Sequence, residues 1–131
     1  EISVKTLIKS ALAAMLLPAL LAACADSDST LLEIAQTAVS AELKDPGSAQ
    51  FVNGRIIDFP DPSTKFTNLK YACGEVNAKN SFGAYAGAVR YVVLLGVPND
   101  GSKHHALSVD LEKTPRDPVF TASFWAGCAK Q

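Results

Sequence analysis

The sequence predicts an α+β domain: one amphipathic helix, a four-stranded antiparallel sheet and a short C-terminal helix. Three observations predict it. Apolar residues recur at helical spacing between Leu31 and Leu43, four later segments carry strand patterning, and Asp117-Pro118 opens a last apolar stripe.

Thr30-Leu31-Leu32-Glu33 reads as a capping box, in which the Thr30 hydroxyl and Glu33 carboxylate satisfy each other's backbone donors. Leu31, Ile34, Ala35, Ala38, Val39 and Leu43 follow on one stripe, interrupted only by Glu42, and Asp45-Pro46-Gly47 stops the helix. Gln50 to Phe59 is rich in Phe, Val and Ile, with Gly54 placed for a bulge. The polar loop from Pro60 to Asn68 leads into Leu69 to Asn77, where Leu69, Tyr71 and Cys73 share a face. Ala88 to Val97 is apolar on both faces and reads as a central strand. The turn Pro98-Asn99-Asp100-Gly101 returns the chain into His105 to Leu111, where His105, Leu107, Val109 and Leu111 alternate inward. Asp117 is an N-cap with Pro118 at the first helical position. Phe120, Phe124 and Cys128 then fall on one stripe, and both helices are expected against the same face of the sheet.

Before this domain lies a different kind of segment. Lys5 and Lys9 precede an apolar block that ends in Leu21-Ala22-Ala23-Cys24, the layout of a bacterial secretory signal. The uncharged stretch from Ser10 to Ala25 has 16 residues, against the roughly 20 that a spanning helix needs. Its last four residues resemble the lipobox of bacterial lipoproteins. The resemblance implies cleavage before Cys24, diacylation of its sulfur and acylation of its amine. Ala25 at the following position implies, by likeness to enterobacterial sorting, the outer membrane, facing the periplasm. The chain then divides into a signal peptide (1–23), a polar tether (24–29) and one α+β domain (30–131). Fully extended, that tether would hold the domain within about 20 Å of the membrane.

With Cys24 taken by lipid, Cys73 and Cys128 remain in an oxidising compartment and are expected to form a disulfide. A redox or metal-binding pair is the weaker reading, since no Cys-x-x-Cys is present. From Cys24 onward ten Lys and Arg face twelve Asp and Glu with no basic block, so nucleic acid is not an expected partner.

The segment Cys73 to Gly87 concentrates Asn77, Lys79, Asn80, Phe82, Tyr85 and three glycines between two strands. Together with Lys44 to Phe51, Trp125 and Cys128, it resembles a family of small exported bacterial and prophage-associated lipoproteins. The family pattern is Lys-Asp-Pro-x-Ser-Ala-x-Phe, then Cys-Gly-x-Val-Asn-x-Lys-Asn-x-x-Gly-x-Tyr-x-Gly, then Trp and Cys. The resemblance supports the domain and the disulfide and implies no activity. Two accounts of the segment stay open. In one, Asn77 and Asn80 bond their own backbone, Gly83 and Gly87 take positive φ, and Tyr85 packs beside Phe82. In the other, Asn77, Lys79, Asn80, Phe82 and Tyr85 form a recognition surface for a protein or glycan.

Residues suited to catalysis give only weak patterns. His104 and His105 are neighbours on a strand edge, where alternate side chains diverge and cannot easily share a metal. Ser81 lacks the Gly-x-Ser-x-Gly elbow. Ser48, His105 and Asp110, or Asp58, Asp61 and Glu75, would have to be brought together by the fold. No catalytic residues, metal or cofactor are expected. The expected function is a non-catalytic envelope lipoprotein, held to the membrane through Cys24, that binds another envelope or secreted protein. A structural accessory of envelope assembly is the alternative, and a hydrolase acting on peptidoglycan or peptide is a third.

Overall fold

The computed structural model describes residues 26–60, 62–63 and 65–129. The signal segment, Cys24 and Asp61 lie outside the described residues. Helix α1 spans Asp28–Ala41, and four strands follow: β1 Gln50–Asp58, β2 Phe66–Asn77, β3 Val89–Pro98 and β4 His105–Leu111. They form one antiparallel meander in the order β1-β2-β3-β4. A C-terminal helix closes the chain, built from α-helical Pro118–Phe120, a π-helical stretch Thr121–Trp125 and α-helical Ala126–Ala129. The α+β class and its element order are as predicted.

The start of α1 is not. Ser27, extended at φ −71° and ψ 158°, is the N-cap, and its Oγ accepts from the Thr30 N–H at 3.3 Å. Thr30 therefore sits inside the first turn, and the Thr30–Glu33 box does not form the boundary. Starting at Ser27 adds the bond from Leu31 N to Ser27 O at 2.9 Å. It also sets Asp28 at the positive end of the helix dipole. Residues 26–29 thus belong to the folded unit rather than to a tether.

Leu31, Ala35 and Val39 form the buried stripe of α1, one turn apart. They pack on Ala72, Val76, Tyr91, Val93 and Leu95, which share one face of the sheet. The Tyr91 ring crosses β2 on that face, so tightly that a Cβ at Gly74 would lie 2.4 Å from its hydroxyl. It meets Phe51 edge-on at 5.8 Å. Burial raises the Tyr91 pKa; Gln36 counters part of this, although no side chain meets hydrogen-bond geometry at the hydroxyl.

The opposite face carries a second core. Ile57, Cys73 and Val92 pack with Phe120 and Cys128, flanked by Tyr71 and Trp125. The two helices therefore cover opposite faces, not one. The reason lies in the strand period of two: Cys73 points away from the face of Ala72 and Val76, and its disulfide draws the C-terminal helix to its own side. The Cys73–Cys128 disulfide is present, with Cα atoms 6.1 Å apart. The apolar character of both faces of β3 follows, since each face lies under a helix.

Three local irregularities change which side chains point where. In β1 the register shifts between Val52 and Arg55, as Gly54 suggested. There Asn53, not Gly54, takes the left-handed φ of 56°. Its side-chain amide donates to Glu75 Oε2 at 2.7 Å. Gly54 is small because a Cβ there would stand 3.1 Å from Leu32 of α1. In β4 a bulge at Leu107 pairs Leu95 with Ala106 but Leu94 with Ser108. Ala106, Val109 and Leu111 therefore face α1, while His105 is exposed and Leu107 approaches Gly96. The expected inward alternation holds only after the bulge. In the C-terminal helix the wide π-turn sets Trp125 on the sheet in the place expected for Phe124, which stays 42% exposed against Phe120.

Candidate functional site

Between β2 and β3 the chain forms a miniature hairpin on the main sheet, closed by an antiparallel bridge between Lys79 and Tyr85. Asn80 builds its turn. The Asn80 N–H donates to Ala84 O at 2.8 Å, and Gly83 N–H donates to Asn80 O at 3.0 Å. The Asn80 side-chain oxygen accepts from Phe82 N–H at 3.0 Å and Ala84 N–H at 3.2 Å. Gly83, at φ +80°, completes a turn that few side chains tolerate. Lower down, Asn77 Oδ1 accepts from Gly87 N–H at 3.1 Å, and Ala86 N–H donates to Ala78 O at 3.2 Å.

Ser48, in the 3₁₀ turn Pro46–Ser48 after α1, fastens this hairpin to the body. Its Oγ accepts from Lys79 N–H at 2.8 Å, and its carbonyl accepts from the Tyr85 hydroxyl at 3.2 Å. The Lys79 ammonium stands 5.7 Å from the Tyr85 ring centroid, a cation–π distance. The expected Tyr85–Phe82 stack is absent, because Tyr85 is drawn to Ser48 and Lys79. Phe82 instead stands at the apex, 95% exposed, while Tyr85 is 44% exposed.

The structural account holds for the asparagines and glycines of this segment. Asn77 and Asn80 are the frame, their side-chain oxygens committed to backbone donors. Phe82, Tyr85 and Lys79 are what the frame presents. Leaving a Phe in water forgoes about 2 kcal/mol of burial, and nothing in the loop's own bonding requires Phe82 at that position.

The other sequence candidates do not assemble. Ser48 is engaged with the hairpin, and His105 and Asp110 lie five residues apart along β4, about 17 Å. Asp58 pairs with Lys70, whereas Glu75 lies at the far end of β2 beside Asn53. His104 is buried and separate from exposed His105. Its Nδ1 lies 2.7 Å from Asp26 Oδ2 and its Nε2 lies 2.9 Å from Asn68 O. Both partners of the ring are oxygen acceptors. The hydrogen bond to His104 holds the Asp26 carboxyl below its ordinary range, against the opposing effect of burial. This pair joins residues 78 apart, and no local pattern in the sequence announces it.

A further cluster missed by sequence reading is built on Arg90 and Glu112. The Glu112 carboxylate accepts from Arg90 Nε at 3.0 Å, Arg90 Nη2 at 2.5 Å, Arg90 N–H at 2.8 Å and Asp117 N–H at 2.9 Å. The guanidinium also lies over Trp125 at 5.1 Å and Phe120 at 5.5 Å. Its hydrogen bonds to Glu112, Asp117 and Thr121 tie the C-terminal helix to β3. Among the described residues no helix is long and apolar enough to cross a membrane. Comparison with protein families, with curated proteins and with solved structures finds no match to this chain.

Proposed function

We propose that the protein is a non-catalytic lipoprotein of the bacterial envelope that binds another protein through the 77–87 hairpin. The observation that carries this reading is Phe82: a large apolar side chain 95% exposed on a turn held by bonds at every corner. A rigid aromatic anchor loses little conformational entropy on binding, and such anchors dominate interface energetics. Tyr85 beside it adds a second aromatic ring of the kind enriched at interfaces, and Lys79 adds one charge.

The test is Phe82→Ala, because Phe82 supports nothing in the fold, whereas Tyr85 and Lys79 also bond Ser48. With the full chain as bait in envelope membranes, the substitution should weaken capture of a specific partner about 30-fold or more, equivalent to about 2 kcal/mol. The melting temperature should not move. Undiminished capture by Phe82→Ala would show that the hairpin is not the contact.

Membrane attachment is part of the same proposal and rests on Leu21-Ala22-Ala23-Cys24. The mature protein should carry an acylated N-terminal cysteine by mass spectrometry, at the periplasmic face of the outer membrane. A Cys24→Ser chain should leave the membrane fraction; one that still floats with membranes removes the anchor.

A further inference from the structure

A cleft of about 300 Å³ opens beside the hairpin, between the end of α1 and the end of β4. Leu43, Val76, Val89 and Leu111 line it with apolar surface. Lys44, Lys79 and Lys113 also line it, each from a different part of the chain. None of the three makes an ion pair among the described residues. Lys44 lies beyond the last turn of α1, and Lys79 stands over the Tyr85 ring. Two carboxylates share the lining: Glu112, which Arg90 neutralises, and Glu42, exposed at the C-cap of α1. The cleft is therefore locally positive in a chain whose formal charge is −1.

We infer that this cleft receives an acidic peptide segment of a protein partner, with one apolar side chain on the floor and flanking carboxylates at the lysines. The inference rests on the protein-binding reading for its choice of a protein rather than a free anion, and names the chemistry of the contact. Charge complementarity selects the acidic segment, and the apolar floor separates it from a purely electrostatic anion patch. The cleft shares Lys79 and Asn80 with the hairpin, so one partner can engage both.

The probe is a fluorescein-labelled acetylated, amidated hexapeptide, Asp-Glu-Leu-Phe-Glu-Asp, followed by polarisation against the full chain at low ionic strength. It should bind saturably, weaken as salt is added and bind about tenfold more tightly than the version with Gln in place of each acid. The double substitution Lys44→Glu/Lys113→Glu should weaken it about tenfold with unchanged melting temperature, and Glu42→Gln should tighten it about twofold. Phe82→Ala should leave peptide binding intact. Loss of partner capture in Phe82→Ala with no lysine dependence of the peptide would therefore overturn the cleft alone; the converse would overturn the hairpin alone. Equal binding of the Gln peptide, or no saturable binding of the acidic one, overturns the inference. So does lysine-dependent sedimentation with phosphatidylglycerol vesicles without peptide binding, which would make the cleft a lipid-headgroup site.

Discussion

Opening the Cys73–Cys128 disulfide should destabilise the domain by about 4 kcal/mol, the largest effect expected of any single covalent change. The bridge closes a loop of 55 residues, for which the entropy withheld from the unfolded chain corresponds to about 4 kcal/mol. Both cysteines are fully buried, so their loss also disturbs the core beneath the C-terminal helix. That helix has few other ties to the sheet: Phe120 and Trp125 against the core, Arg55 donating to the Cys128 carbonyl, and the Arg90 cluster. Denaturant unfolding of the full chain, with and without reductant, measures the change. A loss below about 1 kcal/mol would mean that side-chain packing alone holds the helix in place.

Glu112→Gln should cost about 3 kcal/mol at neutral pH, because it leaves the largely buried Arg90 guanidinium without its counter-ion. The side chains of Glu112 and Arg90 are 1% and 17% exposed, so water replaces little of what is lost. Glutamine also presents two donors where the native carboxylate accepts from Arg90 and Asp117. The same residue gives the domain an acid limb. Burial by itself opposes ionisation of Glu112, but the hydrogen bonds from Arg90 and the Asp117 N–H, with the charge of Arg90, together outweigh it and hold the carboxyl below its reference of 4.5. A depressed folded-state pKa contributes stability that is complete above the unfolded value and is lost as pH falls through the folded one. Wild-type stability should accordingly fall below about pH 4.5, and part of that fall should vanish in Glu112→Gln. An identical acid limb in the variant would assign it to other carboxylates, with Asp26 the next to examine.

Patterns carried by neighbouring residues were legible in the sequence. The four strands, the Asp117-Pro118 cap, the Gly54 bulge, and the backbone roles of Asn77, Asn80, Gly83 and Gly87 all follow from local chemistry. What escaped depends on contacts distant along the chain. Ser27 replaces Thr30 as the cap because the turn it adds is anchored beside Asp26 and His104, and no helical period records that. The bulge at Leu107 reverses the facing of His105 and Ala106, since a one-residue slip exchanges the two sides of a strand. The placement of the helices on opposite faces was implicit in the alternation of Ala72 and Cys73, but only the disulfide reveals its consequence. The sequence marks Phe82 as a candidate contact residue, but its isolation from Tyr85 depends on the position of Ser48.

The Asp26–His104 contact sets the direction in which the domain points. It pins Asp26, two residues after Cys24 in the sequence, beside Asn68 near the start of β2. The hairpin leaves β2 at Asn77, nine residues and about 30 Å further along the same strand. If Cys24 is lipidated as proposed, the domain would stand as a short post rather than a bead on a leash. Its foot would lie at the lipid, and the hairpin that carries exposed Phe82 would lie at the opposite end of β2, clear of the headgroups.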